Sequence, residues 1–205
     1  VLGVTGYTFG AATKKGRFPN GWRGLLEEAR RRPGQLSYGS TGANGTPHVT
    51  MAELFQRENV ELTHVPFRGD ADGSQALLGG HIDVMSGGSG LGSLVDGGQG
   101  EWLNVWSAGR LRRWPDAPTL VELGYRDMVV TTPYGIVGPA GLDPAVVRRL
   151  HDAFAAAARD PAHLAVLERF DMPLEYQDTA AYTAAIRESV ERERRLIERL
   201  GLRAG

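Results

Sequence analysis

Leu36-Ser-Tyr-Gly-Ser-Thr-Gly-Ala-Asn-Gly-Thr-Pro-His48 is the stretch from which the fold can be read. It predicts a strand ending near Gly39, a loop of small residues, and a helix with Thr46 as N-cap and Pro47 at its first position. The amides of His48 and Val49 then fall in the first turn, where no intrahelical carbonyl reaches them. A helix start of this kind is a ready site for an anion. Ser40, Thr41 and Thr46 bring hydroxyl donors, Gly42 and Gly45 permit close approach to the backbone, and Asn44 completes the candidate set. The same residues would also serve as a plain, well-capped strand-to-helix turn.

Working outward, the strand-then-helix pattern repeats. Leu36–Gly39 precedes a helix over Pro47–Gln56, Leu62–Pro66 one near Gly73–Leu78, and Ile82–Met85 a short one near Leu91–Val95. Trp102–Ala108 precedes an irregular stretch through Pro115 and Pro118. This alternation predicts a parallel sheet covered by helices, with ligands beyond the carboxyl ends of its strands. Upstream, Val1–Ala12 reads as one or two strands, and Trp22–Arg31 as a helix with Leu25, Leu26 and Ala29 on one face. Downstream, Met128–Val137 is a long Val- and Thr-rich run, followed by helices opened by Asp143-Pro144 and Asp160-Pro161 and a third over about Thr179–Leu200. Val147, Leu150 and Phe154 share one face of the first, and Tyr182, Ile186, Val190 and Ile197 one face of the third. Leu174–Tyr176 is the clearest strand candidate among them, so part of their sheet is expected upstream of Val1.

Composition narrows the function. The chain has 205 residues, a net charge of -1 and no cysteine, which removes a global field for nucleic acid, any disulfide and any thiolate chemistry. It has no apolar run long enough to span a bilayer and no signal peptide, and it opens on Val1 rather than Met, as a processed or cut start would. The five histidines, His48, His64, His81, His151 and His163, have no metal-ligand spacing, so neither metal nor organic cofactor is expected. His48 reads as a packing or hydrogen-bonding residue, and Trp102, Trp106 and Trp114 as core.

Three motifs fail on inspection. The Ser40–Thr46 loop lacks the lysine and glycine spacing of a phosphate loop. Gly87-Gly88-Ser89-Gly90 lacks the closing glycine of a nucleophile elbow, because Leu91 stands there, and Ser93 occupies the third glycine of a dinucleotide fingerprint. Asp83 lies in a strand before this glycine-rich loop, where it could meet a ligand or brace the loop, and Arg68 could pair with a carboxylate.

Several stretches together carry a family resemblance. They are Pro33–Gly42 with Gly45–His48, His64–Gly69, Leu77–Met85, Pro115–Thr119 with Glu122–Gly124, and Gly135–Gly141. In these the chain resembles the substrate-binding receptors of tripartite tricarboxylate transporters, the Bug receptors. The resemblance implies an α/β fold of the type II periplasmic-binding-protein kind, with two lobes closing on an organic acid. Residues 13–127 would form a complete lobe, and residues 1–12 and 128–205 the hinge strands and C-terminal helices of a partial one. Hinge candidates are Ala12–Lys15 and Asp127–Thr132.

It further implies a periplasmic receptor, not an enzyme, that delivers a small carboxylate to membrane permease subunits. That carboxylate would be a di- or tricarboxylate, an amino acid or an aromatic acid. Ser40, Thr41, Gly42 and Thr46 would meet it, with Asp83 and Ser86 beside them. The chain departs from the family pattern at Asp70, where a small residue is common, and in the extra glycines of Ser86–Gly92. A serine hydrolase using Ser40 or Ser89 and a ligand-sensing regulatory domain are the alternatives. Dimerisation through exposed faces of the partial lobe, and no nucleic-acid partner, complete the expectations.

Overall fold

The computed structural model describes residues 1–202 and divides the chain into two compact units. The first holds Val1–Tyr7 and Thr131–Leu196; the second holds Thr8–Val130 and the described residues from Ile197 on. The chain therefore passes between units at 7/8, 130/131 and 196/197, not at 12/13 and 127/128. Ala12–Lys15 lies within the second unit, and only Asp127–Thr132 of the two hinge candidates spans a crossing.

The second unit is built on a five-stranded sheet in the order β3-β2-β4-β1-β5. Its strands are β1 (Leu2–Lys14, shared with the first unit), β2 (Ser37–Thr41), β3 (Thr63–Phe67), β4 (Val84–Gly88) and β5 (Gly100–Val105). β2 runs parallel to β3 and β4, as the alternation predicts. The sheet is nevertheless mixed, because β1 is inserted antiparallel between β4 and β5. Val1–Ala12 thus becomes one long strand whose second half is almost entirely buried, which a central position requires.

Helices α1 (Gly21–Arg31), α2 (Thr46–Glu58), α3 (Asp70–Leu78) and α4 (Gly92–Asp96, after a 3-10 turn over Ser89–Leu91) belong to this unit. One core joins Ala12, Leu77, Met85, Leu91, Trp102 and Trp114. Trp22, Leu25, Leu26 and Ala29 bury the predicted face of α1, where Trp22 stacks on Phe55 at 6.0 Å. The Trp22 indole N–H donates to Tyr125 Oη at 2.9 Å, and that hydroxyl donates to Glu58 at 2.7 Å, so the polar tips of two buried rings are satisfied.

In the first unit, β6 (Thr131–Ile136) and β7 (Leu174–Gln177) both pair with the start of β1, with Gly3 opposite Gln177. Asp143 and Asp160 cap α5 (Pro144–Ala157) and α6 (Pro161–Arg169), accepting from the amides of Ala145 at 2.7 Å and Ala162 at 2.8 Å. The predicted faces are poorly covered. α5 buries no residue, Phe154 and Phe170 are exposed, and Val190 on α7 (Thr179–Arg199) is 58% exposed while Tyr182 is buried.

Candidate functional site

The Ser40–Thr46 loop leaves the carboxyl end of β2, between the ends of β3 and β4. The turn needs two left-handed residues, Gly42 at φ 80° and Asn44 at φ 59°, which glycine and asparagine tolerate best. Gly42 N donates to Phe67 O at 2.9 Å, tying the loop to the end of β3. The helix start differs from expectation by one residue. Gly45 is the N-cap and Thr46 is helical, and the Val49 amide donates to Gly45 O at 3.0 Å, so Val49 offers nothing to an anion.

Beneath the loop lies a platform that sequence reading missed. The rings of His48 and His64 stack with centroids 3.7 Å apart and 8° between planes, and Tyr38 packs against both. His48 Nδ1 accepts the Asn44 amide at 2.9 Å, which requires that nitrogen to be unprotonated. Ser40 Oγ lies 2.7 Å from His64 Nε2 and donates to Gly42 O at 2.8 Å, so its one proton is committed and His64 is the donor toward it. Burial lowers the pKa of both imidazoles, that of His64 to about 4, with the neighbouring His48 adding to the effect. Two neutral rings therefore hold the loop from below at neutral pH.

The predicted residues do not all come together. Thr41, Gly42, Asn44, Gly45 and Thr46 form the loop itself. Ser40 and Ser86 are neighbours across β2 and β4, both fully buried, and the Ser86 hydroxyl is bonded to Gly39 O at 2.9 Å. They shape the strand ends from inside. Asp83 precedes β4, beside the first residue of β2, and so lies at the opposite end of the sheet. Its carboxylate accepts from Ser37 N at 3.0 Å and pairs with Arg17 at 3.0 Å. Arg68 is exposed beyond the end of β3.

At the carboxyl end of β4, the two departures from the family pattern form one structure. Asp70 packs against the glycines after Ser86, and a Cβ at Gly87 would collide with its Oδ1. The histidine stack and the seat of Asp70 both depend on pairings 16 or more residues apart; Asp70 itself and the glycine excess signalled the second, and nothing signalled the first.

The Ser40–His64 contact has the distance of a nucleophile and its base. A nucleophile must reach its substrate, whereas Ser40 is fully buried and its proton is given to Gly42 O. What the arrangement can do is present a rigid, polar loop and a helix start to a small anion.

The tripartite tricarboxylate transporter family receptor model matches residues 8–202. The UPF0065 protein in the gbd 5' region of Cupriavidus necator is 36% identical over 202 residues, covering 98% of this chain and 62% of that protein. BugT of Bordetella pertussis is 26% identical over 141 residues, covering 65% of this chain and 43% of that protein. This chain thus spans less than two thirds of the length of these relatives. Among solved structures, the periplasmic binding protein BugD superposes with a TM-score of 0.88 at 22% identity, over 98% of this chain and 69% of that one. MatC from Rhodopseudomonas palustris with bound malate gives 0.85 at 19%, over 96% and 68%. The fold is accordingly that of the periplasmic binding proteins, and the chain belongs to the tripartite tricarboxylate transporter receptor family.

Proposed function

We propose that this chain captures a small organic carboxylate outside the cytoplasm for the permease of a tripartite tricarboxylate transporter, and performs no chemistry on it. The observation that carries this reading is the loop between the carboxyl end of β2 and the start of α2, held by the neutral pair of His48 on α2 and His64 on β3. Thr41, Gly42, Asn44, Gly45 and Thr46 are its ligand-facing residues. Ser40 and Ser86 support it, and Asp83 braces the far end of the sheet. The family match and the malate held by MatC support a carboxylate. The exposed Phe154 and Phe170 support self-association of the first unit into dimers.

Isothermal calorimetry with succinate, citrate, glutamate and benzoate tests the reading. At least one should bind, and Gly42→Val should abolish it, because a β-branched residue cannot adopt φ 80° without strain. Failure of all four to bind, or binding unaffected by Gly42→Val, would overturn it. Hydrolysis of p-nitrophenyl acetate that is lost in Ser40→Ala would instead establish the hydrolase alternative.

A further inference from the structure

Asp70 opens α3 three residues past the end of β3, and its carboxylate is folded over the end of β4. The Gly88 amide donates to it, while Oδ1 is buried without a partner. A Cβ at Gly87 would collide with Oδ1, and one at Gly90 would lie 3.1 Å from Oδ2, so the carboxylate packs closely on both glycines. Ser89, between Gly88 and Gly90, is 7% exposed, and its Oγ is also buried without a partner. Leaving such groups unpaired costs free energy. Asp70 packs onto the turn that carries Ser89, so the end of β4 has two such groups, one from α3 and one from the turn, and marks a place shaped to meet a donor.

That place adjoins the anion loop. Ser40 is in register with Ser86, so Thr41 lies level with Gly87, on strands about 4.8 Å apart. Gly42 is bonded to Phe67, three residues before Asp70. Burial raises the Asp70 carboxyl to about 6, against the Gly88 hydrogen bond, so it is an anion at neutral pH. Asp70 is flanked by Arg68 and Asp72 on its own segment, while β4 and the turn after it face it with Gly87, Gly88, Ser89 and Gly90.

We propose that Asp70, given the carboxylate site argued above, is its specificity-determining residue: the preferred ligand carries one carboxylate for the Thr41–Thr46 loop and an ammonium group for Asp70 and Ser89, and a second carboxylate is rejected. The ammonium supplies the donors that Asp70 Oδ1 lacks, and the two charges pair. A second carboxylate at that position meets like charge in a partly desolvated setting.

The experiment uses chain-matched probes, 3-aminopropanoate against succinate and 4-aminobutanoate against glutarate, titrated at pH 7.5 into the wild type, Asp70→Asn and Asp70→Ser. The wild type is expected to bind each amino acid at least about tenfold more tightly than its dicarboxylate partner. Both variants should bring each pair to within about twofold by weakening the amino acid and strengthening the dicarboxylate. Thermal melts of the variants confirm that they fold. An unchanged ratio in both folded variants, or equal loss for both members of a pair, overturns the assignment to Asp70 and leaves the carboxylate site standing. A wild type that favours the dicarboxylates overturns it as well. A wild type that binds none of the four overturns the carboxylate site, and this assignment with it.

Discussion

The histidine stack should make the Ser40–Thr46 loop sensitive to acid, and His64→Gln isolates that effect. Glutamine keeps a donor within reach of Ser40 Oγ, now 2.7 Å from His64 Nε2, but it neither titrates nor stacks on His48. The folded pKa of His64 is about 4 against 6.5 for the free side chain. A group whose pKa is lowered by folding contributes stability that is present above the unfolded value and lost as pH falls through the folded one. The window therefore runs from about 6.5 down to about 4. At ~1.4 kcal/mol per pH unit the full displacement is worth about 3 kcal/mol, and screening at a ring that is only partly buried reduces this to ~1–2 kcal/mol. At pH 8 the variant should be less stable than the wild type by ~0.5–1.5 kcal/mol, the worth of the lost ring stack.

Urea unfolding at pH 8 and pH 4.5 measures the difference. The gap should close or reverse at pH 4.5, since unfolding of the wild type then takes up a proton at His64 that the folded ring mostly lacks. Asp70 pulls the other way, because its raised pKa gives stability that is present below about 3.8 and lost as pH rises through about 6. It does so in both proteins and cancels in the comparison. Protection of the Asn44 amide against exchange, relative to its intrinsic rate, should fall in the wild type as acid protonates His48 Nδ1, to which that N–H is bonded. A wild-type-minus-variant gap equal at both pH values would refute the reasoning.

Further outcomes follow from packing and capping. Gly92→Ala drives a Cβ into the indole of Trp114, which is buried, and should cost ~1–3 kcal/mol in urea unfolding, relieved in part by Trp114→Leu. Asp160→Ala removes the bond to the Ala162 amide and should destabilise α6 by ~0.5–2 kcal/mol, whereas Asp160→Ser should retain most of it, as read by circular dichroism melts.

What the sequence determined by itself is whatever depends on neighbours a few residues apart. The alternation of strands and helices, the buried face of α1 and the Asp-Pro caps of α5 and α6 are of this kind, because periodicity and a bond from residue i to i+2 need no knowledge of the rest of the chain. The small-residue loop before α2 was legible for the same reason, and its helix start was misplaced by one residue because Gly45 and Thr46 are both acceptable caps. The direction of β1, in contrast, depends on which strands flank it, so its antiparallel insertion among parallel strands belongs to the tertiary structure. Asp83 looked like a site residue because the strand was expected to begin before it; with β4 starting at Val84, it falls at the far end of the sheet beside Arg17. The pairing of Ser40 with His64 and the stacking of His48 on His64 join residues 24 and 16 positions apart, and only the β2–β3 register and the seat of α2 bring them together. Composition permits such contacts anywhere in the chain; the sheet selects one set, because a slip of one residue would turn each side chain to the opposite face.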